Sequence, residues 1–252
     1  VSGPRDDPGV ADGNRLADEA VAVITGVVEQ VFGSVLGVRD EVVAAYRAAV
    51  RRSGRMHERD LPALRGPVLE HLTGEHQTAV GMGVVLAPGV LADRELHLEW
   101  WQYDGGADRG TPASPTALDV DLNPASVGFY DYAAADWFVG PRRTGRRHVV
   151  GPYVDVHGTD RYLLTLTAPV VADGEFVGIT GADLPVARFE ALVLRALGTL
   201  PADVVVVTPE DRVALSTSAR WFTGCRSPFT GADATRVLDD PPWRVVVLPH
   251  RS

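Results

Sequence analysis

The residues with chemistry to offer are rings and carboxylates concentrated between positions 130 and 183. YDYAAADWF (130–138) supplies Tyr130, Trp137 and Phe138; GPYVD supplies Tyr153 and Asp155; GITGADL places Asp183 at the end of an apolar strand. Aromatic faces make apolar walls with a negative quadrupole, and carboxylates accept hydrogen bonds from ammonium donors. The combination suits enclosure of a small organic cation. Each charged hydrogen bond to the ammonium would contribute roughly 1.5–3 kcal/mol. Trp100 and Trp101 are adjacent and must face opposite ways in a strand. One belongs to the core and the other to the pocket; Trp101 is carried as the pocket candidate.

Nothing nearby suggests turnover. The seven histidines show no metal-ligand spacing with Cys, Asp or Glu. Ser216 and Ser218 lie in a strand pattern without a nucleophile elbow. Cys225 is the only cysteine, so no intrachain disulfide forms, and no histidine close in sequence would activate it. No catalytic residue, metal or cofactor is expected, and the chain reads as a binding protein rather than an enzyme.

To bring these residues together, the chain has 252 residues, 45% of them hydrophobic and 23% charged, enough for one large domain or two modest ones. A net charge of −9 argues against nucleic acid as a partner. All basic residues are arginine. Residues 1–13 are rich in Pro, Gly and Asp and read as a flexible arm. From 14 to 52, Leu16, Ala20, Val23, Val27, Val31, Val35, Val38, Val42 and Tyr46 form one apolar helical stripe. Gly26, Gly33 and Gly37 predict a kink or break in it. Polar residues interrupt its greasiest stretch, 21–38, so no membrane span is expected. If complete, the chain would be soluble and cytoplasmic, with its output passed to a separate signalling partner. It begins with Val, so an extracytoplasmic region separated from a leader or anchor is the alternative.

A second helix is expected from Asp60, as N-cap, to His71. Strands follow at GMGVVLAP and HLEWWQYD (His97–Asp104), closed by turns at Pro88–Gly89 and Asp104–Gly105–Gly106, then a polar loop over about 105–128. HVVGPYVDV, YLLTLTAPVV and EFVGITGADL are successive antiparallel strands. His157–Gly158 joins the first two, and Asp173–Gly174 is a strong hairpin signal before the third. A helix from Val186 to Leu197 precedes three further strands at 203–209, 212–218 and 243–250. The class is α+β.

With these residues in place, the chain resembles the double Cache, PAS-like sensor domains of bacteria. The resemblance implies a long N-terminal helix over 14–59, a membrane-distal-type ligand-binding module over 60–186 and a small proximal-type module over 187–252. It is similar in particular to the amino-acid-binding branch, whose pattern runs Tyr, four residues, Arg, one residue, Trp, Tyr, followed by Tyr-x-Asp and a later Asp. Tyr130, Trp137, Phe138, Tyr153, Asp155 and Asp183 fall on that pattern, but Ala135 stands where the arginine belongs. That arginine grips the ligand carboxylate in the family, which alanine cannot do. The expected partner is therefore a small amine or amino-acid-like ligand, with a homodimer through the N-terminal helix as a further expectation. Alternatives are another small metabolite, such as a purine or carboxylate, or a ligand-free dimerisation module.

Overall fold

The computed structural model describes residues 8–74, 78–103, 114–156, 161–226, 229, 232 and 234–249. The turns expected at 104–106 and 157–158, and part of the 105–128 loop, lie outside them.

The long apolar stripe forms α1 (Pro8–Ser53), which includes 8–13 of the expected arm. Ile24, Val28, Val31, Phe32, Val35, Val38 and Val42 are fully buried along it, whereas Val23, Val27 and Tyr46 flank this line. α1 is one uninterrupted helix despite its glycines. Gly37 serves packing instead: a Cβ there would stand 2.6 Å from the His71 ring. Contrary to the sequence expectation, α1 is long and apolar enough, by length and composition, to cross a membrane. Its stripe behaves as a core-facing surface, with those seven side chains inside the fold.

The chain divides into two units, residues 1–29, 151–153 and 186–252 in one, and 30–150 with 154–185 in the other. In the larger unit, α2 (Pro62–Thr73) follows a single 3-10 turn at Glu58–Asp60. Asp60 is not its N-cap. The Asp60 carboxylate accepts the His57 backbone N–H instead, which holds its carboxyl below the usual range, and it also meets Arg52. Strands β1 (Gly81–Leu86), β2 (His97–Gln102), β3 (Thr116–Ala117), β4 (His148–Val154), β5 (Tyr162–Ala172) and β6 (Glu175–Pro185) form one sheet in the order β3-β2-β1-β6-β5-β4. Asp173 and Gly174 both take positive φ, making the two-residue hairpin that their types favour. The pairing of β1 with β6 spans the unit and is invisible to local pattern.

Alternation along the strands gives the sheet two different faces. One bears Met82, Val84 and Thr180; the Thr180 hydroxyl donates to the Val35 carbonyl at 3.1 Å, which seats α1 there. The other bears Gly81, Gly83, Val85, Ile179, Gly181 and Asp183, and α3 (Asp136–Thr144) packs over β5 and β6. α3 and the 3-10 turn before it, Tyr132–Ala134, carry the aromatic cluster that lacked an assigned element in the sequence reading.

The smaller unit holds α4 (Val186–Leu197) and the sheet β8-β7-β10-β9, built from β7 (Ala202–Val207), β8 (Val213–Ser216), β9 (Ala234–Val237) and β10 (Arg244–Pro249). β9 adds a strand to the three expected. Its pattern is half polar, but Arg236 binds Asp18 and Asn14 of α1, which ties the edge down. Phe189 of α4 meets Trp243 edge to face at 5.8 Å.

Candidate functional site

Three rows of residues cross the second face of the larger sheet. Pairing sets Gln102, Gly81, Asp183 and Thr165 in one row, then Trp100, Gly83, Gly181 and Thr167, then Leu98, Val85, Ile179 and Pro169. Polarity therefore rises from the third row to the first. The glycines are a steric necessity. A Cβ on Gly83 would lie 2.7 Å from Trp100 Cε3, one on Gly181 3.1 Å from Trp100 Cη2, and one on Gly81 2.8 Å from Trp100 Nε1. The Trp100 indole thus lies flat across β1 and reaches β6.

There its Nε1–H donates to Asp183 Oδ2 at 2.8 Å, and the Thr165 hydroxyl donates to Oδ1 at 2.7 Å. Asp183 is only 5% exposed. Burial pushes its carboxyl up to about 6; the Asp155 charge adds to that rise, while the Thr165 and Trp100 hydrogen bonds oppose it. None of these influences is cationic.

The Tyr130 hydroxyl joins the same group. Burial, then the charges of Asp155 and Asp183, push it up to about 12, and a hydrogen bond from Trp137 partly offsets them. Trp can only donate, so the Tyr130 oxygen accepts. Tyr130 is therefore within reach of Trp137, Asp155 and Asp183, and the four residues come from three separate segments of the chain. α3 is held down by the Thr167 hydroxyl, which donates to the Trp137 carbonyl at 3.0 Å. The preceding turn is anchored by Tyr132, whose hydroxyl donates to the Leu86 carbonyl at 2.9 Å and accepts the His97 N–H at 3.2 Å. Two acids and a phenol beside an indole combine carboxylate acceptors with an aromatic wall.

The model of the methyl-accepting chemotaxis protein-like first PDC sensor domain matches residues 66–191, half of the chain. The chain belongs to that family. Methyl-accepting chemotaxis protein TlpQ of Pseudomonas aeruginosa is 30% identical over 143 residues, covering 49% of this chain. The matched stretch is only 20% of TlpQ's length. Solved structures agree on the fold. The ligand-binding domain of the Campylobacter jejuni chemoreceptor Tlp3, in complex with 4-methylisoleucine, has a TM-score of 0.58 at 11% identity, covering 95% of this chain and 90% of that one. The ligand-binding domain of the Pseudomonas fluorescens chemoreceptor CtaA, in complex with L-valine, has a TM-score of 0.56 at 11% identity, covering 95% and 98%. The extracellular domain of soHK1S-Z6 has a TM-score of 0.60 at 15% identity, covering 93% and 92%. The double Cache, PAS-like expectation for the fold is met, and residues 66–191 are a PDC sensor domain. A chemotaxis-receptor family lends no support to the cytoplasmic expectation.

Within this PDC domain, two of the expected site residues need correction. Trp101 faces away from Asp183: its Nε1–H donates to Glu99 at 3.0 Å and the Arg65 guanidinium lies 4.3 Å from its ring centroid. Trp100 takes the pocket side instead, because strand parity puts it with Gly83 and Gly181. Phe138 is wholly buried, edge to face with Tyr132, Trp137 and Phe176, so it backs the site and offers no free wall. Tyr153 is half-buried on β4, in the short 151–153 segment that groups with the smaller unit. Asp155 lies just past β4, its N–H bonded to the Arg161 carbonyl at 2.9 Å. Asp131 and Asp136 are exposed. Of the arginines near Ala135, Arg142 lies 5.9 Å from the Phe176 ring and Arg147 4.5 Å from that of Phe32.

Sequence reasoning missed Trp100, Thr165 and the glycine floor. Their signal was present as G-x-G inside a strand and as T-x-T inside an otherwise apolar one. Small and polar residues repeating at period two mark one face that is not simply core.

Proposed function

We propose that this sensor module recognises a small amine, with Asp183 and Asp155 as its anions and Tyr130 and Trp137 as its wall. The observation that carries this reading is Asp183: a nearly inaccessible carboxyl held by two neutral donors and faced by a second acid. Ionising it in that setting is costly unless a cation enters. Ala135 removes the residue that would have gripped a carboxylate, so an amine without one is favoured. The module binds without turnover. It works on the outer side of the membrane, as soHK1S-Z6 does by its description, and dimerises through α1 to pass the signal on.

A thermal-shift panel of n-butylamine, putrescine, ethanolamine, succinate and L-amino acids tests the ligand class. Amines should raise the melting temperature of the wild type and leave Asp183→Asn unmoved. Shifts by succinate alone, equal shifts in the variant, or no shift at all would refute it. A free α-amino acid is the second reading, supported by the ligands of Tlp3 and CtaA and by the shared ammonium. It predicts that L-valine outperforms n-butylamine.

A further inference from the structure

Gln102 ends β2 in the row that carries Asp183. It pairs with Gly81, and Gly81 with Asp183, so both side chains rise from one face, with Asp183 Oδ2 and Trp100 Nε1 lying over the glycine between them. Strand spacing sets their Cα atoms roughly 10 Å apart. Trp100, two residues earlier on that face, gives its N–H to Asp183. The Gln102 side-chain nitrogen is buried and has no hydrogen-bond partner. A donor in that condition has lost water without a replacement, which lowers the stability of the unliganded fold. A methionine of similar shape would not carry that cost. A group kept at the expense of stability, on the face that bears the candidate site, fits a partner that arrives from outside.

We propose that Gln102 is a ligand-binding residue whose buried amide N–H donates to an acceptor at the far end of the amine held by Asp183. The proposal rests on the amine reading and narrows it. A buried N–H donor is satisfied by an acceptor and not by a methyl group. The ligand class is then an amine that also carries a hydroxyl or amide oxygen, such as an amino alcohol, rather than a plain alkylamine.

The test uses isosteric pairs, 3-aminopropan-1-ol against n-butylamine and ethanolamine against n-propylamine, titrated calorimetrically into wild type and Gln102→Met. Wild type should prefer the hydroxyl member by about three- to tenfold. Gln102→Met should lose that preference and should melt, unliganded, at or above the wild-type temperature. The assignment is overturned if the preference survives in Gln102→Met, or if that variant melts several degrees lower, which would make Gln102 a structural residue. Amines that bind through Asp183 but ignore position 102 sink only this assignment. If no amine binds the wild type, the amine reading falls and Gln102 with it.

Discussion

Asp183 should make the unliganded protein less stable as the pH rises, opposite to the behaviour of an ordinary paired carboxylate. Its folded carboxyl titrates at about 6 against a reference of 3.8. Below the reference value both folded and unfolded chains carry the proton, and the group has no net effect on the pH slope. Between the two values the unfolded chain ionises while the folded one does not, so folding loses free energy until the folded group has also titrated. The gap corresponds to about 3 kcal/mol, of which about 2 kcal/mol falls between pH 4.5 and 7. For a chain of this size that is about 4–8 °C in melting temperature. Other carboxyls, such as Asp60, Glu99 and Asp121, are lowered and act in the opposite sense, so the measurement must be a difference. Melting of wild type and Asp183→Asn, each at pH 4.5 and 7, isolates the contribution. Wild type should lose about 2 kcal/mol relative to the variant on going to pH 7. Parallel profiles for the two proteins would refute the reasoning. The same linkage predicts that amine affinity weakens up to tenfold per pH unit below about 6, because the cation requires the ionised form.

Trp100→Phe keeps a ring over the glycines but removes the donor to Asp183. It should cost about 1.5–3 kcal/mol when measured above pH 7, where the carboxylate is charged, and less at pH 4.5; urea denaturation at both pH values checks this. Gly83→Ala drives a methyl into Trp100 and the Glu99 carbonyl. It should destabilise the fold by about 1–3 kcal/mol and abolish the amine-induced thermal shift. Ala135→Arg should transfer preference from amines towards α-amino acids, read as a changed ratio of calorimetric affinities for L-valine and n-butylamine; an unchanged ratio would show that position 135 does not face the ligand.

Much of the frame could be read from local pattern. The stripe of α1, the Asp173–Gly174 turn, the helix α4 and the β1, β5 and β6 strands depend on nearest neighbours along the chain, and those signals were strong. The failures share another cause. Asp60 looked like an N-cap, but its carboxylate finds the His57 N–H three residues back. Gly37 looked like a break, but it makes room for His71 from another helix. Residues 234–237 were given no element by local pattern, yet they form β9, with Arg236 bonded to Asp18 and Asn14. Each error involves a partner far away in sequence or a hydrogen bond that residue type alone does not assign.

The candidate site divides in the same way. Residue types and order were sufficient to nominate Asp183, Asp155, Tyr130 and Trp137 and to mark the substitution at Ala135, because chemical capacity resides in the side chain. Which of two adjacent tryptophans meets Asp183 was decided only when β1 paired with both β2 and β6. That pairing sets the parity of every residue on the face, turns three glycines into the bed for Trp100, and brings Gln102 into the row of Asp183. Parity is a property of a strand among its neighbours, so no inspection of HLEWWQ alone contains it.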